Sequence, residues 1–225
     1  FDFYNEETSD ALFEIPLSMT TGISKTYQNI GSIRNRGIEF SINTSIIQNN
    51  DLNWNFFANL TWNKNEVIKL STDDPLEYTY QIIEQGHPYS QFYMKEYVGI
   101  DHEPGPPLLY IKEGDETTSD YNAAAKRYVG DADPKALGGF GTNLTWKGVD
   151  FNLNFNYRLG GKVYNSGAAF TGFGMAFRTP LEDVALNSWT PENKNAKYPQ
   201  YIYRDPNNAT ATSSRYLYSG NYLRI

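Results

Sequence analysis

From Thr145 to Gly160 the chain reads TWKGVDFNLNFNYRLG, and this alternation restricts the possible folds more than any other feature of the sequence. Val149, Phe151, Leu153, Phe155, Tyr157 and Leu159 share one parity, while Asp150, Asn152, Asn154, Asn156 and Arg158 share the other. Side chains along a strand point to opposite faces with period two. The stretch therefore predicts a strand that is apolar on one face and amide-rich on the other. Lys147 and Gly148 supply a two-residue turn, because glycine reaches positive φ at little steric cost. Ahead of that turn Phe140, Thr142, Leu144 and Trp146 alternate with Gly141, Asn143 and Thr145, which completes a long antiparallel hairpin.

A second hairpin repeats the design. Ile38, Phe40, Ile42, Thr44 and Ile46 alternate with Gly37, Glu39, Ser41, Asn43 and Ser45; NND at 49–51 provides turn residues; and Leu52, Trp54, Phe56, Ala58, Leu60 and Trp62 then alternate mostly with Asn or Thr. An apolar row of this kind either packs on a second sheet, as in a soluble sandwich, or faces lipid outside a barrel. Period two does not separate the two, since both burials are one-sided.

Strand length and loop placement favour the barrel. A tilted membrane strand needs roughly 9–11 residues, against about five or six for an ordinary strand. Residues 36–47, 52–63 and 149–160 reach the longer figure, and Trp54, Trp62 and Trp146 lie near strand ends on the apolar parity, where interfacial aromatics belong. Phe1 to Tyr4 reads as the end of a strand, and Ala11 to Leu17 as a further strand limited by Pro16. Short turns at 5–10, 49–51, 101–107 and 147–148 alternate with long connections around 18–35, 63–88, 113–137 and 161–212. In an antiparallel sheet this places the short turns at one end and the long loops at the other, the asymmetry of a membrane barrel. Strands are also expected within Tyr89–Ile100, over Leu108–Lys112 and from Arg215, with one short helix near Pro180–Trp189.

Composition narrows the function classes. The chain lacks cysteine, which excludes disulfides and thiolate chemistry, and its formal charge of -7 argues against nucleic acid as a partner. Negative mean hydropathy and the lack of an 18-residue apolar run argue against a helical membrane protein; neither bears on a barrel, whose interior face is polar. His87 and His102 are the only histidines, and His102, flanked by Asp101 and Glu103, reads as part of a polar turn rather than a metal site. GGFG at 138–141 and LGGK at 159–162 fit strand-end glycines better than a phosphate loop. No nucleophile elbow accompanies the histidines. No catalytic, metal or cofactor site is therefore expected, and the chain does not read as an enzyme. Arg34 and Arg36 either orient an anionic ligand or pair with acids such as Glu39 on the polar face.

Several stretches together carry a family resemblance: YNEETSD and IPLSMTTG (4–10, 15–22), YQNIGSIRNRGIEFSI (27–42), WNFFANLTWNKNEVIKL (54–70), YVGDADPKALGGFGTNLTWKGVDFNLNF (128–155), SWTPENKNAKYP (188–199) and SSRYLYSGNYLRI (213–225). In that order they resemble the C-terminal part of the β-barrel of SusC/RagA-type TonB-dependent outer-membrane transporters. The resemblance implies an all-β fold, an antiparallel segment of a 22-stranded transmembrane barrel with long extracellular loops. Residues 1–225 would form one partial barrel domain of about eight strands, with the plug domain and the remaining strands outside it. It also implies TonB-dependent import of oligosaccharides or peptides in the bacterial outer membrane. The implied partners are a SusD-like surface lipoprotein, the TonB–ExbB–ExbD complex reached through an N-terminal region, outer-membrane lipid and the ligand itself. A non-transporting surface binding protein or soluble sandwich adhesin is the alternative. Sugar rings stack on aromatic faces and asparagine amides bind hydroxyls, so the candidate ligand contacts are Tyr78, Tyr80, Phe92, Tyr93, Tyr164, Phe173, Phe177 and Trp189.

Overall fold

A computed structural model of the chain describes residues 1–18, 20, 22–72, 74–111, 114–168 and 179–225, with Pro16 described by its backbone alone. Its main body is a six-stranded antiparallel sheet in the order β1-β2-β3-β11-β12-β15. The strands are β1 (Asp2–Pro16), β2 (Lys25–Gln48), β3 (Leu52–Leu70), β11 (Ala136–Trp146), β12 (Val149–Leu159) and β15 (Tyr222–Arg224). Both hairpins form where the sequence placed them. Asn49 Oδ1 accepts the amides of Asp51 at 3.0 Å and Leu52 at 2.7 Å, which closes the first turn. Lys147 (φ 47) and Gly148 (φ 86) both take positive φ, the conformation whose twist suits a two-residue hairpin. The two turns are neighbours, joined by a 3.0 Å bond from Lys147 N to Asp51 O.

The register aligns every apolar row. Ile42, Ala58, Phe140 and Phe155 lie side by side across four strands, as do Phe40, Leu60, Gly138 and Tyr157 one step above. Towards the turns, Trp54, Leu144 and Phe151 form one row, and Leu52, Trp146 and Val149 the last. No second sheet encloses this face among the described residues: Phe151 is 51% exposed and Trp146 54%, with Phe40, Ile42, Leu60 and Leu159 also exposed and Phe56 and Phe155 half-exposed. A stacked sandwich would bury them to a few per cent.

Leu52 and Trp62 stand ten residues apart, as do Val149 and Leu159. At about 3.3 Å per residue this is roughly 33 Å of strand, and a tilt of about 35–45° reduces it to roughly 23–27 Å, close to the ~25 Å apolar band of a membrane barrel. The open six-stranded sheet does not close on itself.

Several boundaries differ from the sequence reading. NEETSD is not a turn: β1 runs unbroken through it, absorbing the polar residues with bulges between Thr8 and Leu12, where Asp10 takes φ 53. Residues 11–17 are therefore no separate strand. β2 begins at Lys25 and β3 continues to Leu70, so the connections expected at 18–35 and 63–88 are shorter than they look. The turn at 101–107 joins β7 (Tyr97–Ile100) to β8 (Pro107–Tyr110) inside the long connection, away from the two hairpin turns. Only the turns at 49–51 and 147–148 share one end of the main sheet, and six of its strands stand where about eight were expected.

From the other end rises a folded crown. Residues 71–135 carry β4 (Leu76–Glu77) paired with β5 (Ile82–Ile83), β6 (Gln91–Lys95) paired with β10 (Lys126–Asp131), and the three-stranded β7-β8-β9, with β9 at Thr117–Thr118. Residues 160–221 add β13 (Lys162–Tyr164), paired with β14 (Leu217–Ser219), and the expected short helix at Glu182–Asn187. Here the chain has a conventional core. Leu76 and Ile83 pack with Phe13, Ile30 and Val67 at the tops of β1–β3, and Phe92, Met94 and Val129 form a second cluster.

Candidate functional site

The polar face of the sheet is the first part of the site. Asn152, Asn143, Asn55 and Ser45 form one lateral row, and Asn156, Gly139, Asn59 and Ser41 another. Ser45 Oγ donates to Asn55 Oδ1 at 2.7 Å, and Asn59 Oδ1 accepts the Gly139 amide at 2.9 Å. Asn43, Asn143, Asn152, Asn154 and Asn156 remain exposed. In a barrel this face lines the water-filled interior, and it presents uncharged amides that both donate and accept hydrogen bonds.

One residue breaks the amide pattern. Phe57 sits among the asparagines on the polar parity, opposite Gly141. A Cβ built on Gly141 would stand 2.5 Å from Phe57 Cζ, so the ring lies flat across the glycine. Tyr157 covers Gly138 in the same way on the apolar face and donates to Asn59 O at 3.2 Å; Tyr4 covers Gly37 and donates to Asn63 Oδ1 at 3.0 Å. The aromatic ring thus supplies packing that the glycine leaves open. Phe57 escapes the sequence reading, since its neighbour Phe56 accounts for an aromatic at that point; the parity of Asn55 and Asn59 is the signal that assigns it to the polar face.

At the top of this face asparagines tie wall to crown. Asn65 donates to Asn35 Oδ1 at 2.9 Å and accepts the Tyr89 amide at 2.8 Å. Above them, the aromatic residues of the crown form the second part of the site. Tyr80 and Tyr164 pack with ring centroids 4.4 Å apart, and Tyr93 meets Tyr128 at 5.2 Å, whose other side stacks on His87 at 4.6 Å. The Glu84 carboxylate accepts from the Tyr128 hydroxyl and, with some burial, pushes that phenol up to about 12. Burial raises Tyr164 and Tyr78 as well.

The structure sorts the sequence candidates by exposure. Tyr78, Tyr80, Tyr93 and Tyr164 are half-exposed. Phe92 (6% exposed) belongs to the crown core; Trp189 (6% exposed) packs against Gly105 and donates its indole N–H to His102 O at 2.9 Å. Phe173 and Phe177 lie outside the described residues. Tyr80, Phe92 and Tyr164 come together in one cluster, whereas Tyr78 reaches down to Glu14 O and Trp189 stands apart with the 100s turn. His102 Nδ1 lies 2.7 Å from Lys194 O, and Glu103 pairs with Lys194 at 2.8 Å, so this acidic turn anchors the segment that carries Trp189.

Arg34 and Arg36 require a correction. Glu39 has the opposite parity and lies on the other side of the sheet, so it pairs with neither. The two arginines share the face of Ile38 and Phe40, above the apolar band, and meet Glu7 at 3.3 Å and Glu66 at 3.7 Å.

Comparison with known proteins agrees with this architecture. The sequence model described as "TonB dependent receptor-like, beta-barrel" matches residues 1–166. TonB-dependent receptor P3 of Formosa agariphila is 32% identical across 100% of this chain and 24% of its own length. TonB-dependent receptor SusC of Bacteroides thetaiotaomicron is 29% identical across 72% of this chain and 18% of its own. Among solved structures, that of the RagAB peptide transporter superposes with a TM-score of 0.83 at 31% identity, over 99% of this chain and 25% of that one. The chain thus spans about a quarter of the length of relatives that it matches throughout.

Proposed function

Because the chain belongs to the TonB-dependent receptor-like β-barrel family, we propose that it supplies a stretch of wall and outer loops to an energy-coupled importer of the bacterial outer membrane. The observation that carries this reading is the two-sidedness of the main sheet. One face keeps a continuous band of Trp, Phe, Leu and Ile exposed, while the other is paved with asparagine. Hydrocarbon outside and water inside satisfy both faces at once.

The cargo we propose is an oligosaccharide or a peptide. Exposed asparagines bind hydroxyls and backbone amides alike, and half-exposed Tyr78, Tyr80, Tyr93 and Tyr164 offer stacking faces. Likeness to the RagAB peptide transporter lends weight to the peptide. A complete barrel would have 22 strands around a plug, be lidded by a SusD-like lipoprotein and draw on the TonB–ExbB–ExbD complex. Import would then consist of capture at the crown, passage along the amide wall and release after plug rearrangement.

The test is uptake by cells making the full-length protein, with and without TonB. Loss of uptake on TonB deletion is expected; undiminished uptake ends the proposal. Phe57→Ala and Asn152→Ala then probe the wall, and a lower uptake rate at unchanged surface abundance is expected of each.

A further inference from the structure

Above Trp62 and Ile38 the outward parity of the sheet changes character abruptly. The next row is Asn5, Arg36 and Lys64; the one after it is Glu7, Arg34 and Glu66. An arginine or lysine facing lipid is strongly destabilising at the bilayer midplane and nearly neutral near the interface. The change from indole to guanidinium therefore marks the upper edge of the hydrocarbon, on the side from which the crown rises.

The charges in these rows are not balanced. Arg36 and Lys64 stand directly opposite each other in the register, and like charges at that position destabilise a sheet. They share one carboxylate, Glu66, at 3.7 Å from Arg36 and 2.9 Å from Lys64, while Arg34 meets Glu7. Three cations thus face two carboxylates, and the side chains of Arg34, Arg36 and Lys64 stay 38%, 46% and 46% exposed. Such exposed pairs contribute little to stability, too little to explain three cations gathered at the rim of an apolar band. An anion seated among them would relieve the Arg36–Lys64 repulsion and use guanidinium N–H groups that the carboxylates leave over.

We propose that Arg34, Arg36 and Lys64 bind the phosphate of the phosphorylated glycolipid, lipopolysaccharide, in the outer leaflet. Its acyl chains lie on the band that continues below through Ile38, Trp62, Phe40 and Leu60. Continuity of the cationic row with the apolar band selects an amphiphile over free phosphate, and the crown end selects the outer leaflet. The inference rests on the outer-membrane orientation adopted above.

The full-length protein is extracted from its own outer membrane, and the glycolipid and glycerophospholipid retained per barrel are measured by mass spectrometry. Near an anionic surface each Lys or Arg contributes about a fivefold factor, so R34Q/R36Q/K64Q is expected to lose most of the glycolipid. R34K/R36K/K64R, which keeps the charge, is expected to retain most of it. Resistance of both barrels to SDS separates lipid loss from misfolding. Wild-type glycolipid content in a folded triple glutamine variant overturns the proposal, as does selective loss of glycerophospholipid. Lys147→Gln, in the turn at the opposite end, tests the orientation: loss of glycolipid from that variant alone refutes the orientation itself, independently of whether the protein imports.

Discussion

The wall and the crown draw on the same residue types and use them in opposite ways. In the wall, Phe151 is 51% exposed and Val149 64%, although both sit in an 11-residue strand paired residue by residue with its hairpin partner. In the crown, Phe92 is 6% exposed and Met94 1%, in a strand of only five residues. A side chain that hydrocarbon solvates need not be covered by protein, whereas one above the membrane must be. Strand length follows from the same cause. A wall strand crosses a fixed thickness, while a crown strand needs only to close a small core.

Four experiments on the full-length barrel test this contrast. The largest effect is expected from Phe92→Ala, about 3–5 kcal/mol of local stability for a buried ring. Hydrogen exchange at Met94 and Val129 should quicken while the wall amides of β12 stay protected; a uniform loss of protection would mean that the two regions do not behave separately. Next is Leu153→Arg, which places a charge midway down the lipid-facing row at about 2–4 kcal/mol, against under about 0.5 kcal/mol for Asn152→Arg on the polar face. Equal denaturant midpoints for the two in lipid vesicles would erase the distinction between faces.

Gly141→Ala should cost about 1–3 kcal/mol by overpacking, because the new methyl would stand 2.5 Å from Phe57 Cζ and 2.6 Å from Leu153 O. Unfolding of G141A against G141A/F57A measures how much of that cost the ring accounts for. The smallest effect concerns pH. Burial, with Asp133 adding to it, raises the Asp131 carboxyl above its usual 3.8. A raised acid favours the folded state only while it binds a proton more tightly than the unfolded chain does. That contribution is complete below pH 3.8 and disappears as pH rises through the elevated value. Asp131→Asn should therefore steady the crown near neutral pH by less than about 1 kcal/mol and flatten its acid-range pH dependence, read from the rate of protease nicking within 113–135.

Much of the wall was legible because its signal is local. Parity assigned Leu52 through Trp62 and Val149 through Leu159 to one face, and the register confirms it row by row. Parity was less useful above the apolar band. There Arg34, Arg36, Lys64 and Glu66 keep the outward positions but not the apolar character, so the continuing strands look like loop. NEETSD reads as a turn for the same reason, since a polar run inside a strand differs from a turn only through the partner that Asn35, Arg34 and Ile33 provide. Of the candidate site, the aromatics were found by type. Which of them are covered, as Phe92 and Trp189 are, depends on neighbours distant in the chain.

The sequence alone determined the two hairpins, their faces and the length of the apolar band, because each depends only on period two and on residues within a turn of one another. Tertiary structure decided the extent of β1 to β3 above the apolar band, the pairing of Arg34 and Arg36 with Glu7 and Glu66, and the laying of Phe57 over Gly141. Each of those is a meeting between separate strands, and alternation fixes the side a residue faces but not the residue that faces it.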